Sequence, residues 1–457
     1  MPGLNTSLSI AVQALQAEQG ALSVTTNNIS NVNTPGYSRQ VAVLNEAPTF
    51  NENGTIFGGG VTLEQFQSVR DQLLQLRIYE ETQQQSNSQT QLNALNQVEG
   101  IFSDPTKGVG GALSAFFNSI SQLSTNPTDS NARQAVLTSA NNLAGSFHQA
   151  VTSLNTIGAG LDQSVPQTVD QINRLTTQIA KLNGQVAQMQ GLGQDPGTIQ
   201  DQRDELIRQL SGMVNVNVTQ SEHGLTLTTG NGVPLVVANQ SYALQSNANN
   251  TVLEHVYSAQ GQDITSQITG GQLGGTIQIR DQVLPQLFTQ LNDLASQFTA
   301  SFNTAHQAGF DAAGNAGGNF FTPLASTTDA AANFGVAITD PSLIAASSDG
   351  SAGSSGNLTQ LLALRDQQLP SGASPLDMYS NLVLQVGNLG ANAQSDVTSS
   401  NASVQQLTDQ RSSVSGVSLD EETTNMIRYQ RAYEAGARVV TTVDSMFTTL
   451  MNMGVTT

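Results

Sequence analysis

The chain has 457 residues with no cysteine and no tryptophan, and its 15 basic residues against 34 acidic ones give a net charge of 15 − 34 = −19. This length supplies roughly two to four compact domains. The charge opposes phosphate backbones and excludes nucleic acid as an expected partner, and the missing thiols exclude disulfides, thiolate metal sites and cysteine nucleophiles. Only 11% of residues are charged, so amides, hydroxyls and glycine carry the surface polarity, a composition closer to assembling extracellular structural proteins than to cytosolic enzymes. The first basic residue is Arg39, so no secretory n-region is expected. No apolar run approaches the roughly 18 residues of a membrane span, and membrane insertion is not expected.

In chain order, Leu8, Leu15, Leu22 and Ile29 recur every seven residues between Leu4 and about Val32, a narrow helical seam. Asn27, Asn28, Asn31, Pro35, Gly36 and Tyr37 then end that helix: Pro35 forces the preceding residue out of helical geometry and Gly36 suits a turn. Residues 38–65 read as extended chain with a glycine turn. Helix is expected from Phe66 to Leu76 and from Leu92 to Phe102, joined across "TQQQSNSQTQ" as one long exposed helix. Further helices are expected at about 110–124, 129–157 and 166–190, followed by a short amphipathic helix in "TIQDQRDELIRQLSG" that stops at Gly212.

The period changes to two at Val214, Val216 and Val218 and again at Leu225 and Leu227. An Asn-Gly pair within "GNG" at 230–232, ahead of "VPLVV", signals a hairpin. Residues 213–282 therefore read as a small β domain. Helix resumes from Leu284 through Phe302, gives way to a Gly/Ala/Asn-rich loop to about 350, and continues over 357–411. Near the C-terminus Leu419, Met426, Tyr433, Val440 and Phe447 fall at seven-residue spacing, with Tyr429, Val443 and Leu450 on the companion row. The layout is seam helix, helical bundle, β insertion, helical bundle, seam helix: residues 1–40 and 415–457 at the ends, 41–212 and 283–414 as a discontinuous bundle, and 213–282 as an outer β domain. A seam of this kind packs into its own core or against other subunits. The strict repeat at both ends favours association, with the seams pairing to each other or to neighbouring copies and ordering as they assemble.

Catalytic chemistry is poorly supported. His148, His223, His255 and His306 lack ligand spacing and read as surface or loop histidines, so no metal and no cofactor is expected. Ser418 with Glu421 reads as a capping box opening the last helix, in preference to a carboxylate pair. "DAAGNAGG" from Asp311 lacks the alternating oxygen ligands and closing Glu of a calcium loop. Glu222, His223, Glu254, His255 and Asp263 would be the groups of a hydrolytic insertion, and they show no recognisable spacing.

Residues 27–37, "NNISNVNTPGY", resemble the N-terminal signature of the bacterial flagellar rod, hook and hook-associated axial proteins. Three further stretches are similar to the hook-associated protein 1 (FlgK type) branch: "IQDQRDELIRQLSGMVNVNV" at 199–218, "FNTAHQAGFDAAGNAGGNFF" at 302–321 and the ending at 415–454. The second of these marks Phe302, Asn303, His306, Gly309, Asp311, Phe320 and Phe321 as a family-like loop. The resemblance implies a mainly α, elongated multidomain axial protein with a β insertion, its N- and C-terminal helices paired in an inner tube. It implies a non-enzymatic structural subunit joining hook to filament; its partners would be copies of itself in a ring, hook protein, a second junction protein on the filament side and a cytoplasmic export chaperone at the C-terminal helix. Export through the flagellar type III apparatus to the hook–filament junction is implied as well. Another axial component, hook or distal rod, is the alternative, and a secreted hydrolase a remoter one. The family's outer domains can be larger than this compact β insertion.

Overall fold

The computed structural model describes residues 2–52, 55–104, 108–221, 224–247 and 253–454. A helix α1 (Pro2–Ser30) leads into four strands, β1 (Gln40–Glu46), β2 (Phe50–Glu52), β3 (Thr55–Phe57) and β4 (Val61–Ser68). Four helices follow: α2 (Gln72–Phe102), α3 (Val109–Thr125), α4 (Ser130–Gly191) and α5 (Gly197–Met213). Then come β5 (Val216–Ser221), β6 (Gly224–Thr229), β7 (Pro234–Val237), β8 (Gln240–Ser241), β9 (Gln245–Asn247) and β10 (His255–Tyr257). The chain closes with α6 (Gly271–Gln278), α7 (Leu284–Gln307), α8 (Gly356–Ala363), α9 (Pro375–Ser415) and α10 (Leu419–Gly454). Two compact units result: unit 1 takes residues 1–83, 171–244 and 400–457, and unit 2 takes 84–170 and 245–399.

In unit 1, α1 packs on α10 and on the antiparallel β1–β4 pair. It carries two inward rows. The heptad row of Leu8, Leu15, Leu22 and Ile29 is half-buried; a methyl on Gly436 of α10 would lie 3.2 Å from Leu15 Cδ2, so the two backbones approach closely there. A second row, Ala17, Ala21, Val24 and Asn28, is at most 6% exposed. Beside it, a methyl on Gly20 would meet Leu63 Cδ2 of β4 at 2.6 Å, so this neighbouring part of the helix lies against the strands. The only charge on α1 is Glu18; burial pushes its carboxyl up while Arg428 of α10 partly opposes the shift. Strands β5 to β8 form one antiparallel sheet in sequence order, and the Asn-Gly turn, with Gly232 at φ 86°, joins β6 to β7 as its sequence requires.

Unit 2 is organised around aromatic packing between α3, α7 and the segment after α7. Phe116, Phe298, Phe302, Phe320 and Phe321 are each at most 1% exposed, with ring centroids 5.3 Å apart for Phe116–Phe302 and 4.8 Å for Phe320–Phe321, offset and edge contacts that aromatic pairs prefer. Between α6 and α7 the helix widens into a π-turn at Ile279–Val283. There the buried Arg280 donates to Asp162 Oδ1 at 2.7 Å, Asp281 Oδ1 at 2.6 Å and the Glu254 carbonyl at 2.8 Å. It thereby pins the β10 region to α4.

Several sequence expectations are corrected. Phe66 belongs to β4, not to a helix, and α2 starts at Gln72. The Gln-rich span is helical but not exposed all round: Thr82, Asn87 and Ser88 are buried, and Asn87 donates to the Thr269 carbonyl at 3.1 Å. The two helices expected over 129–190 are one, because Val165 and Val169, buried on either side of Pro166, hold adjacent turns against the core. Of the segment 213–282, β5 to β8 lie in unit 1, β9 and β10 in unit 2, and 271–283 is helical. Its glycines let α6 come against α2: a methyl on Gly275 would sit 2.6 Å from the Asn87 carbonyl oxygen. The expected helix over 357–411 is broken between α8 and α9.

Candidate functional site

The asparagine-rich turn is a polar knot that fixes the ends of α1 and α10. At the last turn of α1, Asn31 donates from Nδ2 to the Asn27 carbonyl and Oδ1, both at 3.0 Å, and its own Oδ1 accepts from Thr34 Oγ1 at 3.1 Å. These bonds take up groups that the end of a helix leaves open. Asn28 points the other way and is 1% exposed. It bonds both backbone groups of Gln40, accepting from N at 3.0 Å and donating to O at 2.8 Å, so its amide completes the start of β1. Tyr37 donates to Asn28 Oδ1 at 2.9 Å. Burial, then the Asp201 and Glu422 carboxylates, push its phenol up to about 12, so it stays a donor. Pro35 is exposed, and Gly36 takes φ 81°, a left-handed conformation that glycine adopts without strain.

Immediately after the turn the chain meets α5 and α9. Asp201 accepts from Ser38 N at 2.9 Å and Ser38 Oγ at 2.7 Å and pairs with Arg70 at 2.5 Å. Arg70 also pairs with Asp204 at 2.7 Å and donates to the Gly197 carbonyl. Arg411, near the end of α9, donates to the Gly36 carbonyl at 2.6 Å. Arg39 donates its backbone N–H to the Ser415 carbonyl at 2.8 Å and pairs with Glu421 at 3.3 Å. A cleft of about 190 Å³ opens beside this network, lined among others by Ser38, Tyr79, Arg203 and Arg411. Burial raises the Asp204 carboxyl although Arg203 and Arg70 oppose it. The guanidinium and carboxylate groups around it are bonded to one another and to the backbone, which makes the network a fastening.

Sequence reasoning singled out the turn and missed its clamp. Asp201 and Arg70 lie 163 and 32 residues from Ser38, and the only signal was an Asp-rich polar face on α5. The capping expectation is half met: Ser418 Oγ receives Glu421 N at 3.5 Å, a long contact, while the Glu421 carboxylate turns to Arg39.

On the helix pair, Met426, Val440 and Phe447 face inward and are half-buried with Tyr429, and Val443 is 6% exposed. On the same row Leu419 at 49% and Tyr433 at 39% are more exposed, and Val439, Met446, Leu450 and Met453, all exposed, form an outward apolar surface.

The family-like loop builds the core of unit 2. Asn303 Oδ1 accepts from Phe320 N and Phe321 N at 3.0 and 2.9 Å, its Nδ2 donates to the Phe321 carbonyl at 2.8 Å, and Phe302, Phe320 and Phe321 fill the aromatic cluster. The Gly309 carbonyl accepts from Gly317 N at 2.8 Å, and Asp311 Oδ1 closes a turn by accepting from Ala313 N and Asn315 N. His306 is fully buried, which corrects its reading as a surface or loop residue. Its Nδ1 faces the Gly318 carbonyl at 2.8 Å and Nε2 accepts from Ala345 N at 2.9 Å, partners that assign the neutral Nδ1–H tautomer. Burial lowers its pKa. Because the folded value lies below the unfolded one of about 6.5, protonation favours the unfolded chain, and this site costs stability as pH falls through about 6.5. Urea unfolding should therefore show wild-type stability dropping faster than that of His306→Gln between about pH 6.5 and 5.5; parallel declines would remove His306 as the cause.

His148 is exposed, and His255 pairs with Asp263 at 2.7 Å. Glu222 and His223 lie outside the described residues. Among the described residues, no group of three or more His, Asp or Glu is placed to hold a metal, and no helix is long and apolar enough to cross a membrane.

Comparison with known proteins follows these elements. A family model described as the flagellar hook-associated protein FlgK helical domain matches residues 95–321. A flagellar basal body rod FlgEFG C-terminal model matches 408–453, and a flagella basal body rod protein model matches 8–37. Flagellar hook-associated protein 1 of Bacillus subtilis (strain 168) is 31% identical, covering 98% of this chain and 98% of its own length. That of Escherichia coli (strain K12) is 29% identical, covering 98% and 100%. The solved structure of the flagellar hook junction protein FlgK from Burkholderia pseudomallei superposes with a TM-score of 0.65 at 18% identity, over 74% of this chain and all of that one, a likeness of fold.

Proposed function

The chain belongs to the flagellar hook-associated protein 1 family, and from that membership we propose that its α1–α10 pair is the element through which copies assemble. It is a structural subunit of the bacterial flagellum that joins hook to filament and is required for filament assembly. It works within the flagellum alongside hook and filament components.

In the finer reading, copies stack as a ring between hook protein and a second junction protein. Residues 1–40 and 415–457 would form the inner tube, 41–212 and 283–414 the bundle around it, and 213–282 the outward part. Export would run through the type III apparatus with a cytoplasmic chaperone on α10. The role is assembly and not catalysis, in keeping with the structural names of the relatives. The observation that carries the assembly reading is the division of apolar side chains on the pair. Leu8, Leu15, Leu22, Ile29, Met426, Val440 and Phe447 are half-buried where the two helices meet, and a further apolar surface at Val439, Met446, Leu450 and Met453 faces outward. Half-burial realises only part of the roughly 1.5–3 kcal/mol available from each large apolar side chain. Stacking against further copies supplies the rest.

The variant carrying Met426→Asp, Val440→Asp and Phe447→Asp tests this. Each carboxylate has to be desolvated for the helices to pair, at a cost of several kcal/mol. The variant is expected to be made and folded in unit 2, to lose subunit stacking and chaperone pulldown, and to leave a strain lacking the native chain non-motile. Restored motility would place the assembly surface elsewhere.

A further inference from the structure

The chain has no cysteine, which leaves the thioether of methionine as its readily oxidised sulfur, and four of its eight methionines lie in α10. Within the described residues, the methionines that are exposed fall together: Met446 at 49%, Met451 at 70% and Met453 at 68% occupy the last turns of that helix. Met189, Met213, Met378 and Met426 are half-buried. Val439, Met446, Leu450 and Met453 follow one another at steps of seven, four and three residues, so they share one helical face. It is an outward face, apolar and rich in methionine, and the other described elements leave it uncovered.

We propose that the exposed methionines of these last turns, Met446 and Met453 on this face and Met451 on another side of the helix, form a peroxide-sensitive modification site whose oxidation in the free subunit blocks its assembly. A sulfur lone pair attacks one oxygen of hydrogen peroxide as the O–O bond breaks. The sulfur gains one oxygen and is oxidised by two electrons, and the other peroxide oxygen leaves as water after taking up a proton. Each sulfoxide turns a flexible apolar side chain into a polar one, which disrupts methionine-rich contact surfaces. Once the face is buried between copies, peroxide no longer reaches it, so the sensitivity belongs to the subunit before assembly. This rests on the reading of the α1–α10 pair as the assembly element.

The test treats the purified full-length chain with hydrogen peroxide, maps oxidised peptides by mass spectrometry over time, and measures binding to isolated hooks that lack this chain. Met446, Met451 and Met453 should oxidise at least about tenfold faster than Met189, Met213 and Met378, since susceptibility follows exposure. The oxidised wild type should lose most hook binding. The variant carrying Met446→Leu, Met451→Leu and Met453→Leu, compared with its own untreated sample, should lose no binding on treatment. Equal oxidation of half-buried and exposed methionines, or full hook binding by the oxidised wild type, overturns the proposal. The untreated wild type in the same binding measurement reports separately on the assembly reading.

Discussion

Replacing Asp201 by Ala is expected to lower the stability of unit 1 by about 3–5 kcal/mol, because it breaks a largely buried ion pair from one side only. The carboxylate is bonded to both donors of Ser38 and to Arg70. Without it, the Ser38 amide and hydroxyl lose their partner, and Arg70 is left with Asp204 and the Gly197 carbonyl. Losing buried partners is costlier than a typical net hydrogen bond of about 0.5–1.5 kcal/mol. The effect should be local to unit 1: the chain from Gly36 to Arg39, released from α5, would also loosen the Arg411 and Ser415 contacts that seat the start of α10. Hydrogen exchange is the measurement. Faster exchange at Ser38 and Arg39, with urea stability reduced by the stated amount and exchange in the aromatic cluster of unit 2 unchanged, is the expected result. A loss below about 1 kcal/mol would mean that the turn is held by its internal asparagine bonds alone. Asp201→Asn, which keeps an acceptor for Ser38, should cost less than Asp201→Ala.

The parts of the molecule that were legible in the sequence are those governed by local chemistry. Seven-residue spacing marked both terminal helices, Pro35 and Gly36 marked where the first one stops, and Asn231-Gly232 marked a hairpin, because each signal acts over a few residues. The second inward row of α1 was illegible. Ala17, Ala21 and Asn28 do not register as an apolar stripe, and their burial depends on strands that follow later in the chain. The same holds for α6, where a Gly-rich segment becomes helical because its bare backbone fits against α2 near Asn87. His306 looked like a surface or loop residue because nothing nearby in sequence announces the Gly318 and Ala345 backbone groups that satisfy its ring. As for the candidate site, the turn residues could be named from sequence, but their clamp could not: pairing Ser38 with Asp201 requires knowing the fold. Along the α10 row Met426, Val440 and Phe447 are half-buried while Leu419 and Tyr433 on the same face are more exposed, a difference that seven-residue spacing does not encode.

The largest expected effect is the loss of the whole chain, and electron microscopy of a strain lacking it tests the central claim most directly. A subunit that joins hook to filament acts after the hook is complete and before flagellin polymerises on it. Its absence should therefore leave basal bodies and hooks of normal appearance, bare hook tips, cells that do not swim and flagellin released into the medium. Restoring the full chain should return filaments, whereas a chain without residues 418–457 should not, because α10 supplies half of the helix pair. Bare hooks with free flagellin are the predicted result; micrographs without hooks would make the chain a rod or hook component, and normal filaments on swimming cells would contradict the structural role itself.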